Sequence, residues 1–288
     1  IYYTRGYYNI VKIDFHVHVT PPDIIRDWKK IAEREDYFKL LSESPVNKFA
    51  TADDVVEELK SSGMDKAVIF GFAFNDIGLC QYVNDYVAEA VKKYPDKLIG
   101  YMVLVPTASG VEREIDRCLA MGLKGIGEIF PYGQKFDLTD AKQMSTLANA
   151  CIERDIPLII HTNEPVGHYY AGKTDTTPKT ACAFVQNFPN IKVVFAHWGG
   201  GLLFYEMMPE IRAQNKNVYY DIAATPLLYD NNIYVAAKSM KVLDKILFGS
   251  DFPLLPMKRY LEDISNSGLS DDEQSLINGE NARRLLGI

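Results

Sequence analysis

Residues 10–22 read I-V-K-I-D-F-H-V-H-V-T-P-P, an apolar-rich run that closes on His16-Val17-His18 and stops at Pro21-Pro22. As a β-strand it points Asp14, His16 and His18 to one face and Ile13, Phe15 and Val17 to the other. With a rise of about 3.3 Å per residue, the two imidazoles stand roughly 6.6 Å apart along the strand. At that spacing both can turn onto one metal ion, for which ring nitrogens are favoured ligands. The rest of the chain then has to supply the missing ligands.

Runs of the same kind recur. Lys66–Gly71, Leu98–Val105, Lys124–Ile129, Pro157–His161, Lys192–His197, Asn217–Ile222 and Lys245–Ser250 read as strands. Helices are expected from Thr51 or Asp53 to Ser62, then over Cys80–Tyr94, Val111–Met121, Asp140–Arg154, Pro178–Phe188, Tyr205–Gln214 and Asn231–Ser239. The strands are near-continuous apolar runs, as in a parallel sheet covered by helices. Eight alternations without a linker predict one α/β domain over residues 1–288, a closed (β/α)8 TIM barrel rather than an open doubly wound sheet. No G-x-G-x-x-G follows the first strand, which weakens a dinucleotide-binding alternative. Segment 23–50 is polar, aromatic-containing and irregular; its length marks an inserted candidate lid. Extra helices fill the C-terminal end, with Glu280–Leu286 the last.

Composition narrows the partners. At 47% hydrophobic residues the 288-residue chain can bury a large core, and a net charge of −7 argues against a nucleic-acid or anionic-membrane surface. The longest apolar stretch, near Ala67–Phe74, falls far short of the ~20 residues of a membrane helix. Ile1–Asn9 is Tyr-rich and shows no signal-peptide pattern. Cys80, Cys118, Cys151 and Cys182 stand apart without a C-x-x-C pair. They read as small buried hydrophobes in a reducing compartment, so a cytoplasmic location is expected.

The position of the polar residues is more telling. Four of the five histidines stand at predicted strand ends: His16 and His18 on the first, His161 on the fifth, His197 on the sixth. Glu128 lies near the end of the fourth and Asp251 follows the eighth. In a barrel these ends share one rim, where barrel active sites are built. Four imidazoles and two carboxylates there make a strong ligand set for a divalent ion.

D-x-H-x-H on the first strand, His after the fifth and sixth, and G-S-D-x-P after the eighth resemble the amidohydrolase superfamily. More narrowly, they resemble its amidohydrolase-related branch of metal-dependent barrels, which holds hydrolases and aminocarboxymuconate-semialdehyde decarboxylase-like enzymes. The resemblance covers essentially the whole chain, including the closing E-N-A-R-R-L-L-G. It implies a distorted (β/α)8 barrel with His16, His18, His161 and Asp251 as metal ligands. His197 is implied as a ligand of a second ion or as the group that polarises substrate and handles a proton. Glu128 permits a two-ion centre without demanding one. The one-ion form is the preferred reading, with Zn2+ the expected ion and Mn2+ an alternative.

An ion-bound water that attacks the carbonyl as Asp251 takes its proton and returns it to the leaving group, with His197 stabilising charge on the substrate oxygen, gives hydrolysis of an amide, ester or lactone. Non-oxidative decarboxylation of an aromatic or unsaturated acid is the alternative, and would call for a cation such as Arg259, Lys258, Lys173 or Lys179 where the acid binds. A non-catalytic metal binder is disfavoured by the complete ligand set. Asp14 is expected to orient an imidazole of the H-x-H pair, and His168 to support the site without binding metal. Glu164, Tyr132 and Trp198 are candidate contacts for a small organic substrate. Gly199–Gly201 could bind an anion or simply allow close packing. A homodimer is the expected assembly.

Overall fold

A computed structural model describes residues 11–288. Ile1–Asn9, where no signal-peptide pattern was read, lies outside the described residues. Eight parallel strands follow one another around the sheet in chain order: β1 Ile13–His18, β2 Lys66–Phe70, β3 Leu98–Met102, β4 Gly125–Ile129, β5 Leu158–Ile160, β6 Val193–Phe195, β7 Val218–Asp221 and β8 Ile246–Leu247. Beyond β8 the chain continues along β1. Phe15 N–H donates to Phe248 O at 2.7 Å, Asp251 N–H to His16 O at 2.9 Å and His18 N–H to Phe252 O at 2.8 Å. These bonds bring the two ends of the sheet together, giving the expected (β/α)8 barrel.

Alternation along the strands feeds two apolar clusters. Ala67 and Ile69, Leu158 and Ile160, and Val193 and Phe195 pack with the helices. Val68 and Phe70, Ile159, Val194 and Leu247 belong to the cluster that runs through the barrel. The interior is filled rather than open. Tyr101 meets Phe15 edge-on at 5.7 Å, and it occupies the space a side chain at Gly125 would need, since a Cβ there would come 2.4 Å from its ring. Helix ends follow local chemistry. Thr51 and Asp54 form a capping box on the helix Ala52–Ser62, and left-handed Gly63 (φ 73°) ends it.

Three local expectations need correction. The segment after β1 is not irregular: it forms helices Pro22–Ala32 and Asp36–Ser42. Pro22 starts the first of them, because a residue without an N–H fits the first helical turn. Tyr205–Gln214 divides into a 3₁₀ turn, Leu202–Met207, and a helix, Pro209–Gln214, again restarted by proline. Finally, β1 carries a register shift between Asp14 and Val17, so strict alternation fails there. Ile13 and Phe15 join the interior cluster while Val17 and Val19 face the helices. His16 and His18 keep one face, and Asp14 leaves it. Among the described residues no helix is long and apolar enough to cross a membrane.

Replacing Gly125 with Ala should lower stability by about 1–3 kcal/mol through overpacking against Tyr101. Urea unfolding checks this, and an unchanged midpoint would contradict a filled interior.

Candidate metal centre

Six side chains converge at the C-terminal mouth of the barrel. His16 and His18 come from β1, Glu128 from β4, and His161, His197 and Asp251 from the residues following β5, β6 and β8. They form two triads, His16–His18–Asp251 and Glu128–His161–His197, each with its ligand atoms within 4.8 Å of one another. Asp251 Oδ1 lies 3.3 Å from His18 Nε2 and 3.6 Å from His16 Nε2. Glu128 spans the triads: Oε2 is 3.7 Å from His18 and 3.8 Å from His16, while Oε1 is 3.0 Å from His161 Nδ1 and 3.6 Å from His197 Nε2. A register shift between Ile126 and Ile129 aims Glu128 inward. It is possible because Gly127 adopts φ 125° and a Cβ there would come 2.6 Å from Ile159 O.

The outer hydrogen bonds fix which nitrogen faces the centre. His16 Nδ1 donates to Asp221 Oδ2 at 2.8 Å, His197 Nδ1 to Ala223 O at 3.1 Å, and His161 Nε2 to Asn163 Oδ1 and Gly172 O at 3.1 and 3.2 Å. In the neutral rings, His16 Nε2, His197 Nε2 and His161 Nδ1 are therefore lone-pair acceptors. Two of those lone pairs meet closely: His197 Nε2 is 3.2 Å from His161 Nδ1. His16 Nε2 faces His18 Nε2 at 3.3 Å. Lone pairs at that separation repel unless positive charge lies among them, so the donor set fits one divalent ion, or two bridged by Glu128.

The protonation energetics agree. Burial opposes charge on His16, but Asp221, Glu128 and Asp251 outweigh it and carry its pKa up to about 10. Burial likewise opposes charge on His197, yet a hydrogen bond to Glu128 and the charges of Asp251 and Asp221 raise it to about 9. At His161 burial prevails and the pKa falls. Burial pushes Glu128 upward, but the charges of His161 and His16 hold it well below the usual carboxylate range. Asp251 is also lowered, its burial outweighed by the hydrogen bond to His18 and the charge of His16. The site is built to attract positive charge.

The backbone around it is strained in a concentrated way. His197, Trp198, Ala224 and Asp251 all adopt positive φ, 57–59°, beyond the ends of β6, β7 and β8. Gly199–Gly201 are left-handed as well, and a Cβ at Gly200 would come 2.2 Å from Asn163 O. Close packing accounts for Gly199, where a Cβ would come 2.9 Å from the Tyr220 ring, and for Gly200.

A cavity of ≈ 410 Å³ opens from the ligand cluster. Its walls are mostly apolar: Phe38, Leu41 and Phe49 from the segment after β1, with Phe72, Phe130, Leu228 and Leu254 from the rim loops. Lys48 is the one Lys or Arg in this lining among the described residues.

The profile of the Amidohydrolase family matches residues 13–288. The chain belongs to the amidohydrolase family. This amidohydrolase is 24% identical over 339 aligned positions to 2-amino-3-carboxymuconate-6-semialdehyde decarboxylase of Dictyostelium discoideum, covering 96% of this chain and 92% of that protein. Its fold is similar to that of 5-carboxyvanillate decarboxylase from Novosphingobium aromaticivorans, solved with manganese and 4-hydroxy-3-methoxy-5-nitrobenzoic acid, with a TM-score of 0.77, 16% identity, and 97% of each chain covered. It is also similar to a probable 2-pyrone-4,6-dicarboxylic acid hydrolase from Acinetobacter baumannii, with a TM-score of 0.66, 15% identity, and 96% and 100% covered.

Not every expected site residue of this amidohydrolase reaches the cavity. Trp198 is fully buried, donating from Nε1 to Thr225 Oγ1 at 2.7 Å; its left-handed backbone turns the indole into the core. Tyr132 is 66% exposed and borders a separate groove beside Arg34 and Lys135. Glu164 is outside the cavity lining and accepts the Tyr170 hydroxyl at 3.3 Å. His168 lines the cavity and belongs to neither triad. Asp14 orients no imidazole: its Oδ1 takes the N–H groups of His16 and Ser250 at 3.1 and 3.0 Å, a consequence of the shifted register. Burial raises its pKa to about 7. The imidazole partner is Asp221, whose strand-end position, shared with the other site residues, was the available signal.

Because His16 and His197 are protonated at neutral pH, loading the metal-free protein with Zn2+ or Mn2+ at pH 7.5 should release protons, and affinity should fall as pH falls. An indicator dye in weak buffer reads the release, and its absence would contradict the electrostatics. Asp221→Asn should weaken binding by about 10–100-fold. Chelator competition measures this, and unchanged affinity would contradict the role of the outer bond.

Proposed function

We propose that this amidohydrolase is a metal-dependent decarboxylase that removes CO2 non-oxidatively from an aromatic or unsaturated carboxylic acid. The observation that carries this reading is the cavity: apolar and ring-sized, with the histidine–carboxylate cluster at its floor and Lys48 as its cation. A cation there suits a substrate that carries a carboxylate. The decarboxylase relative and the nitrobenzoic-acid complex of the Novosphingobium enzyme support the same chemistry. The four cations expected to serve this purpose from sequence lie outside the cavity lining. Arg259 bonds Asp263, Lys258 faces Glu262, and Lys173 donates to the carbonyls of Val166 and His168.

His16, His18, His161 and Asp251 would hold the ion, joined by Glu128 and His197 in a two-ion form. When bound, it supplies Lewis acidity to substrate oxygens beside it. Lys48 attracts the substrate's anionic group, and the phenylalanine walls hold the ring and exclude water. Asp251 or His197 gives a proton to the carbon bearing the carboxylate. The C–C bond then breaks, its electron pair returns to the ring or alkene, and the carboxylate leaves as CO2. Solvent restores the donor's proton. Mn2+ is supported by the Novosphingobium structure and Zn2+ by the nitrogen-rich ligands. The free cysteines support a cytoplasmic location. Lactone hydrolysis is the second reading, favoured by the likeness to the Acinetobacter protein.

A panel of hydroxybenzoates, unsaturated acids and lactones, assayed in parallel for CO2 and for solvent-oxygen incorporation, tests the proposal. CO2 without incorporation is expected; incorporation without CO2 would overturn it in favour of hydrolysis. Lys48→Met should raise KM for the acid about tenfold with kcat little changed, as loss of a charged contact made equally in ground and transition states. An unchanged KM would contradict the role of Lys48.

A further inference from the structure

Tyr37 belongs to the helix Asp36–Ser42, in the segment that roofs the cavity, yet its packing is directed at the metal centre. Its ring lies 4.4 Å from Phe130, and Phe130 stacks on the imidazole of His161 at 3.9 Å, 28° from parallel. Tyr132 closes the outer edge at 5.9 Å. The slot for Tyr37 is cut by glycine: a Cβ at Gly133 would come 2.8 Å from the Tyr37 ring. On the other side a Cβ at Gly172 would lie 3.7 Å from the Tyr37 hydroxyl, and Gly172 O accepts the Nε2–H of His161 at 3.2 Å. Tyr37 thus backs both supports of His161, the ring beneath its face and the loop that sets its tautomer.

The position of Tyr37 is itself fixed. Glu35, two residues earlier and 4% exposed, accepts the N–H groups of Asn75 and Asp76 at 2.9 and 2.8 Å. That clamps the helix to the loop after β2. The Tyr37 hydroxyl is buried without a hydrogen-bond partner among the described residues, so the ring, rather than the hydroxyl, makes the contact.

We propose that Tyr37 is a positioning residue for His161, so that the segment after β1 sets the geometry of the metal centre through the Tyr37–Phe130–His161 stack. A mobile lid would have no such anchor. The inference rests on the metal-binding reading of the six-residue cluster. Orientation of a ligand ring by contacts behind it tunes metal affinity by about 10–100-fold, and offset aromatic stacking supplies a directional contact for this purpose.

Co2+, which reports ligand geometry in its visible absorption, serves as the probe. Tyr37→Phe should keep the wild-type spectrum and dissociation constant, because the ring remains. Tyr37→Leu and Tyr37→Ala should shift the spectrum and weaken Co2+ binding about tenfold. Leu40→Ala, on the same helix but 40% exposed, should leave the spectrum unchanged. Wild-type spectrum and affinity in Tyr37→Leu would overturn the positioning role alone. Failure of the wild-type protein to bind Co2+ would overturn the metal reading and this inference with it.

Discussion

The bond from His16 Nδ1 to Asp221 Oδ2, 2.8 Å long and fully buried, is the contact on which the site depends. A carboxylate taken from water into a barrel is costly unless each oxygen is paired. Asp221 meets that condition: Oδ2 takes His16, and Oδ1 takes the N–H groups of His197 and Ala223 at 2.9 and 3.0 Å. One side chain on β7 therefore fixes the tautomer of an imidazole on β1 and the backbone of the histidine after β6. Asn163 and Gly172 do the same for His161, and Ala223 for His197. The nitrogen that each ring turns inward is set before any ion arrives, which is preorganisation in the sense that matters for a metal site.

That arrangement needs a backbone that pays in strain. Non-glycine residues in the left-handed region cost of order 1–3 kcal/mol each, and four of them cluster beyond β6, β7 and β8. They are held by specific bonds. Asp251 N–H donates to His16 O, Ala224 N–H to the Tyr260 hydroxyl at 3.0 Å, and that hydroxyl to Ser250 O at 2.7 Å. Tyr260 is fully buried, so the rim is tied to the core at the point where it is most distorted. A filled barrel interior, with Tyr101 against Gly125, makes the platform beneath it stiff.

Much of this was legible in the sequence for a physical reason. A parallel strand buried on both faces tolerates polar residues only at its ends, so His161, His197 and Asp251 stood out against apolar runs such as P-L-I-I-H and V-V-F-A-H. Asp14 misled because strand periodicity carries no mark of a register shift, and one extra residue in β1 moves it off the histidine face. Trp198 misled because its direction is set by a left-handed backbone that nothing in W-G-G-G specifies for the tryptophan itself. The helices after β1 were hidden behind Pro21-Pro22, where a stop signal and a helix start look alike. Lys48 and Tyr37 acquire meaning only through tertiary contacts, with the cavity in one case and the Phe130–His161 pair in the other.

The chemistry then follows from what meets in the cavity. Convergent lone pairs and carboxylates call for a cation, while apolar walls beside Lys48 suit the unsaturated acid of the proposed decarboxylation. Everything downstream requires that an ion sit among these six side chains. Anomalous diffraction from crystals of the Mn2+- or Zn2+-loaded protein tests that directly. The account predicts an anomalous peak ligated by His16 Nε2, His18, His161 Nδ1 and Asp251, with Glu128 adjoining it. A well-ordered structure whose only peaks lie elsewhere, or that takes up no ion, would contradict it.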